Sequence, residues 1–209
     1  MNTISESPAT RWLSHGGTSP VIPVFKDYHS LNSQMEEIIN LQTFPIKFRR
    51  NKSIASPFEK NHCTYLLLDG AIHGFLKVGT KHITTRIATE GEFVGPFIDL
   101  TFGPSEEYIE AISTVSAIAI PHETMIHLYN NFTEANIIGR MLAEVQYREA
   151  SERATVARLP SAKLRYERFL VSYQHLIERI PLRYIASFLG MRLETLSRLR
   201  TEMAYKDRK

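Results

Sequence analysis

The stretch that decides the reading runs from Leu182 to Thr201: LRYIASFLGMRLETLSRLRT. Two short helices packed steeply through a tight turn make specific demands, and this stretch meets each of them. Ala186 is the small residue where the helices approach. Gly190, four residues on, supplies the positive φ of the turn without steric cost. Ile185 and Leu189 on the first helix, Met191 at the turn, and Leu196 and Leu199 on the second are the inward aliphatics. Arg192, Leu193, Glu194, Ser197, Arg198 and Arg200 then point away from that core, toward a major groove and its flanking phosphates. Arg198 suits guanine O6 and N7, Glu194 can accept from cytosine N4, and Ser197 can serve a base or a phosphate. The expected element is a helix-turn-helix and the expected partner is double-stranded DNA.

Charge points the same way. From Ser151 to the end, 13 Lys and Arg stand against 6 Asp and Glu, whereas the first 150 residues hold 12 against 16. A basic C-terminal third on an acidic body suits a polyanion. A helical hairpin with a solvated basic face is the competing reading of the same residues.

Upstream, residues 1–20 are rich in Ser, Thr, Gly and Pro and show no period, so a disordered or loosely docked arm is expected. Ser33–Leu41 is a short helix candidate. From Gln42 to Ile120, runs rich in β-branched and aromatic residues alternate with turn signals: Phe44–Phe48, Thr64–Leu68, Ala71–Val78, His82–Ala88 and Glu110–Ile120. Asp69-Gly70 reads as a hairpin turn between two of them, and Gly79-Thr80 separates the next pair. Such spacing predicts an antiparallel sandwich or barrel. Helical spacing returns over His122–Asn130 and then Glu134–Arg158, where Ile138, Met141, Leu142 and Val145 form an apolar stripe. That helix is either a dimerisation helix or one packed along its own sheet. Ser161 is the expected N-cap of the next helix, with Tyr166, Phe169, Leu170 and Tyr173 on its apolar face. The fold class is therefore α+β, divided as an arm (1–27), a β-barrel sensor domain (28–132), a long helix (133–159) and a helix-turn-helix domain (160–209).

Other classes are disfavoured. The chain is 43% hydrophobic, but no run approaches the roughly 18 apolar residues of a spanning helix, so no membrane association is expected. Residues 1–20 lack a basic segment followed by an apolar one, so no secretory signal is read. With a single cysteine, Cys63, no internal disulfide is available, and the expected compartment is the cytoplasm. His62, His73 and His82 lie near strands about ten residues apart, without a His-x-His pair, and are read as surface or core histidines rather than metal ligands. Catalytic Ser-His-Asp, P-loop and dinucleotide signatures are absent, so no enzyme is expected.

These motifs resemble the Crp/Fnr family of bacterial transcription regulators over about residues 28–205. The likeness rests on Ala162-Lys163-Leu164-Arg165-Tyr166, Phe169-Leu170, Arg179-Ile180-Pro181, Tyr184–Gly190 and Glu194-Thr195-Leu196-Ser197-Arg198. In the front half, Gly70, Glu90-Gly91-Glu92-Phe93-Val94-Gly95 and Ile109-Glu110-Ala111 are similar to the family's cyclic-nucleotide-binding-type barrel, or jelly roll. The resemblance implies that Glu194, Ser197 and Arg198 read bases, that Glu134–Arg158 is the dimerisation helix of a homodimer, and that RNA polymerase is a candidate further partner.

Three departures qualify it. Relatives that bind cyclic AMP carry Gly-Glu and then Arg with a small residue in the pocket loop. Here Gly95 is followed by Pro96, and the arginine region reads Ser105-Glu106-Glu107-Tyr108. Carboxylates there repel a phosphate, so Gly95, Pro96, Glu106 and Glu107 form a degenerate pocket, the effector is unknown, and Arg86 or Lys81 is the only rescue in view. Pro96, Phe97, Phe102 and Pro104 make the loop apolar. The cysteine set of an iron–sulfur member is missing and no haem ligand stands out, so no cofactor is expected. Finally, the recognition helix begins Arg192-Leu193 where close relatives commonly have Thr-Pro, losing a capping hydroxyl and an N1 proline. The short link from Tyr173 to Pro181 leaves little room for a β-hairpin wing, so Arg179, Arg183 and the tail Lys206-Asp207-Arg208-Lys209 are candidates for backbone grip. The alternative function is a barrel module that binds a small molecule or partner protein without active DNA binding.

Overall fold

The computed structural model describes residues 8–57, 62–95 and 106–206. Expectations placed on Pro96, Phe97, Phe102, Pro104 and Ser105, and on Asp207-Arg208-Lys209, lie outside the described residues. Three helices come first: α1 (Pro8–Arg11), α2 (Val21–Lys26) and α3 (Ser33–Gln42). The strands are β1 (Phe44–Phe48), β2 (Ser53–Ala55), β3 (Cys63–Asp69), β4 (Ile72–Val78), β5 (Lys81–Ala88), β6 (Phe93–Val94), β7 (Tyr108–Ala111) and β8 (Val115–Pro121). Then follow α4 (His122–Asn131), α5 (Thr133–Arg158), α6 (Ala162–Ser172), α7 (Leu182–Phe188) and α8 (Leu193–Lys206).

The strands form two antiparallel sheets, ordered β1-β8-β3-β6 and β2-β7-β4-β5, an α+β jelly-roll arrangement with a helical C-terminal part. The period of two sorts their side chains. Tyr65, Leu67, Ala117 and Ala119 face the interior between the sheets with Ile72, Ala88 and Ile109. Leu66, Ile118 and Ile120 face outward, onto helices that bring Met35, Ile39, Leu128 and Ile138.

Two turn readings are corrected. Asp69-Gly70 does not close a hairpin, because β3 pairs with β8 and β6 while β4 pairs with β5 and β7. Gly70, at φ 93°, is a corner between the sheets, and a Cβ there would meet the Thr114 carbonyl. The run Glu110–Ile120 is likewise two strands in different sheets. Ile112 N–H donates to the Ala71 carbonyl at 2.8 Å and Ala71 N–H to Ser113 Oγ at 2.9 Å, so the two corners brace each other. Gly79-Thr80 does form a two-residue hairpin, with Val78 opposite Lys81 and Gly79 at φ 59°.

The described part of the supposed N-terminal arm is packed structure. Trp12 is fully buried in the core outside the barrel, with Val21, Ile22 and Phe25. Its indole N–H donates to the Asn40 carbonyl at 3.0 Å. Arg11 Nη1 donates to the carbonyls of Leu41 and Thr43 at 2.9 and 2.8 Å, filling acceptors that the C-terminus of α3 leaves open. The polar composition hid this because a single tryptophan carries most of the apolar area.

The stripe on α5 is also spent within the chain: Ile138 and Leu142 are buried against α4 and the N-terminal helices. Farther along, Val156 joins the core of the C-terminal domain. At 26 residues the helix runs about 39 Å.

The C-terminal domain docks on the barrel through α7. β5 is an edge strand. The backbone N–H of Thr84 donates to Ser187 Oγ at 2.9 Å, and that hydroxyl donates to the His82 carbonyl at 3.3 Å. Tyr184 lies 4.5 Å from the ring of His73, which also stacks on Phe75 at 4.8 Å. His73 is 3% exposed, its ring nitrogens have no hydrogen-bond partner, and its Nε2 stands 3.7 Å from Glu110 Oε1. Ile87, Ala71 and Ile112 of the barrel complete the shared apolar patch.

Two outcomes follow from this packing. Trp12→Ala should cost about 3–5 kcal/mol of stability, measured by urea denaturation; a change under about 1 kcal/mol would return residues 8–27 to the status of a loose arm. Burial holds the His73 pKa below the ordinary histidine range, only partly offset by Glu110, with His82 and Arg183 opposing protonation too. The unfolded chain therefore binds the proton more readily, and stability should fall as pH drops below about 6.5. His73→Phe should flatten that acid loss in melts between about pH 7.5 and 5.5; an unchanged slope would place the acid sensitivity elsewhere.

Candidate nucleic-acid interface

α7 and α8 pack through a tight turn, with the small, glycine and aliphatic residues at the offsets read from the sequence. Ile185, Ala186, Leu189 and Leu196 are buried together, with Met191 and Leu199 partly buried against them. Gly190 takes φ 59°, and Met191 N–H closes the turn onto the Ala186 carbonyl at 3.0 Å. Ser161 caps α6 by accepting from Leu164 N–H at 3.2 Å. Arg165, quoted above only as part of a motif, proves to brace the turn: its Nε donates to the Leu189 carbonyl at 2.8 Å and its Nη1 to the Leu159 carbonyl at 3.0 Å. An arginine four positions after an N-cap was the only available signal.

α8 carries the candidate residues. Arg192 is the residue before its first turn, and its carbonyl accepts from Leu196 N–H at 3.2 Å. Glu194, Ser197, Arg198 and Thr201 follow the i, i+3, i+4, i+7 spacing that places them on one face, opposite Leu196, Leu199 and Met203. Arg192, Leu193, Glu194, Ser197 and Arg198 are exposed, and Arg200 is half-buried near Tyr166. Neither Arg198 nor Glu194 is engaged by a hydrogen bond or ion pair among the described residues, although their i, i+4 spacing would allow one. The five exposed positions thus lie together on and just before α8, with Arg200 half-buried beside them.

Two of the positions proposed for backbone grip, Arg179 and Arg183, are otherwise engaged. Arg179 pairs with Glu90 of the barrel, whose carboxylate also accepts from Gly70 N–H at 3.0 Å. Arg183 Nη2 donates to Tyr184 Oη at 2.8 Å, with the guanidinium over that ring. Between α6 and α7 lies only a 3-10 turn, Gln174–Leu176, so no wing strand occurs there.

The degenerate pocket is only partly described. Gly95 has φ 109° and lies so near the Cys63 carbonyl that a Cβ would stand 3.1 Å from it. Pro96 lies outside the described residues. Glu106 is exposed, whereas Glu107 turns into the barrel, where its Oε1 accepts from Thr85 Oγ1 at 2.5 Å. Its carboxylate occupies the space a Cβ on Gly74 would need. Arg86 is the register partner of Gly74 and shares the inward face of Ala88; it is 9% exposed, with its Nε unpartnered. No helix among the described residues is long and apolar enough to cross a membrane, and no group of three or more candidate metal ligands occurs among them.

No family model matches the sequence, and no curated protein matches it either. Solved structures do match in fold. FixK2 from Bradyrhizobium japonicum superposes with a TM-score of 0.70 at 18% identity, over 79% of this chain and 86% of that one. The global regulator CLP of Xanthomonas campestris, which responds to c-di-GMP, gives 0.64 at 13% identity over 84% and 93%. A protein from Eubacterium rectale grouped with the Crp/Fnr transcriptional regulators gives 0.69 at 16% identity over 90% and 89%. The architecture of this chain, barrel and C-terminal helices together, is the one that these regulators share.

Proposed function

We propose that the chain is a sequence-specific DNA-binding transcription regulator, acting as a homodimer on a near-palindromic site. The observation that carries this reading is the exposed, unengaged Glu194, Ser197 and Arg198 face of α8. A bidentate donor, a carboxylate acceptor and a hydroxyl stand together there, on the basic end of the chain. With Arg179 and Arg183 engaged, phosphate contacts fall to Arg192 and Arg200.

Dimerisation is supported by a face of α5 other than the stripe. Ala143, Tyr147, Ala150, Ala154 and Ala157 repeat at alternating four- and three-residue steps, and all are exposed. That is the heptad spacing of a coiled-coil seam, with alanines letting two helices approach closely. Tyr147 is 75% exposed, an aromatic that a second copy of the helix would cover. Two recognition helices related by a two-fold axis would meet half-sites about 34–36 Å apart. Cyclic nucleotides are not the effector in this reading, because Glu107 brings a carboxylate into the barrel beside Thr85, where a phosphate would be repelled. RNA polymerase remains a candidate partner, and catalysis is not part of the role.

Selection from random duplex DNA should return a site with two-fold symmetry. On that site Arg198→Ala should cost about 1–3 kcal/mol and relax base choice at one position per half-site. Arg200→Ala should weaken all sequences alike and flatten the salt dependence. If Arg198→Ala weakened specific and random duplexes equally, its role as base reader would be refuted. For the seam, Ala150→Arg should convert the dimer to monomer in sedimentation at tens of micromolar while leaving the helical circular dichroism intact; an unchanged dimer would move the interface off this face.

A further inference from the structure

A cavity of about 180 Å3 lies where the barrel, α5 and the C-terminal domain meet. Roughly 150 Å3 suffices for benzene, so this one encloses on the order of ten non-hydrogen atoms. Ile87 of the barrel and Phe169, Leu176 and Phe188 of the C-terminal domain form its apolar wall.

The other end is charged, with Glu92 from the barrel and Glu149 and Arg153 from α5. Glu92 Oε1 accepts from Thr89 N–H at 2.8 Å, which fixes the carboxyl group, and burial pushes its pKa up to about 7. Arg86 on β5, Glu149 and Arg153 on α5, and Tyr173 just past α6 are the ionisable groups around it, with His175 on the cavity lining. Burial lifts the Tyr173 phenol to about 12, so it stays neutral. Arg153 is three-quarters buried, yet its one ion contact among the described residues is Glu149 at 4.0 Å, beyond hydrogen-bond reach. A half-buried carboxyl and a guanidinium with unspent donors therefore face the same small space from different elements, above an apolar wall.

We propose that this cavity binds a free α-amino acid with an apolar side chain, its carboxylate on Arg153, its ammonium on Glu92, and its side chain against Ile87, Leu176 and Phe188. The occupant touches all three parts of the molecule, so it fixes how the C-terminal domain sits on the barrel. Occupancy of the cavity does not depend on whether α8 binds DNA.

The test is calorimetry on the full chain with L-leucine and L-phenylalanine, beside 3-methylbutylamine and 4-methylpentanoate, which each lack one charged group. At about pH 8 one of the two amino acids should bind with a Kd in the micromolar to sub-millimolar range, and both analogues should bind at least about tenfold more weakly. Glu92→Gln and Arg153→Gln should each lose about tenfold or more. In the unaltered chain, affinity should fall between about pH 8 and pH 6, because protonated Glu92 no longer pairs with the ammonium. That arm holds even if a variant fails to fold. Absence of heat with both amino acids to about 10 mM, analogues binding equally well, or a flat pH profile would each overturn the proposal.

Discussion

The open edge of β5 is the constraint from which the rest of the arrangement follows. An edge strand presents unpaired N–H and C=O groups and invites another strand. Here α7 covers part of that edge, with Ser187 accepting from Thr84 N–H and donating to the His82 carbonyl. Those two bonds contribute only about 0.5–1.5 kcal/mol each, so the apolar patch of Tyr184, Ile87, Ala71 and Ile112 provides most of the attraction. Their value is directional. They fix the rotation of α7 on the barrel, and since α8 packs on α7 through Ala186, Ile185 and Leu196, they also decide which face of α8 meets solvent.

The C-terminal domain has a second anchor, on α5. Arg168 reaches Glu152 with two bonds of 2.7 Å, and Ser172 Oγ donates to the same carboxylate at 2.6 Å. These groups are near the surface, where ion pairs are screened and individually weak. The barrel anchor is better buried but includes His73, whose ring nitrogens lack partners. Neither anchor alone has the character of a rigid joint. The Arg179–Glu90 pair adds a third contact, so the interface between the domains is shared among several contacts that are individually weak.

What was legible in the sequence was local. The α7–turn–α8 packing could be read because its demands fall within twenty residues: a small residue, a glycine and five aliphatics at fixed offsets. Strand positions were legible for the same reason, and β1 spans the expected Phe44–Phe48. What failed was pairing, which is non-local. Asp69-Gly70 has the composition of a hairpin turn, but turn chemistry says that the chain bends, not which strand lies next to it. Glu110–Ile120 read as one run because Ile112, Ser113 and Thr114 do not interrupt its β propensity. The corner there exists only because Ala71 and Gly70 meet it from forty residues away. β2 and β6, at three and two residues, were too short to show a period. At the candidate site, the exposed positions of α8 were legible, whereas the engagement of Arg179 by Glu90 was not, since the partner lies 89 positions distant.

α5 shows most clearly why one pattern can mislead. An apolar stripe on a long helix has several candidate partners, and the sequence cannot say which is used. In this fold its first three turns are claimed by the chain's own core through Ala135, Ile138 and Leu142, and its end by Val156. The seam from Ala143 to Ala157 is offset from that stripe and weakly hydrophobic, so a search for large aliphatics passes over it. A surface of alanines is nonetheless what a close helix pair requires, because small side chains let backbones approach and dispersion accumulates along the contact. The same rod thus touches the core at one end, the C-terminal domain at the other, and offers a third face between them. A second copy seated on that face, as proposed, would bear on a helix already bonded to α6 at Glu152 and bordering the interdomain cavity at Glu149 and Arg153.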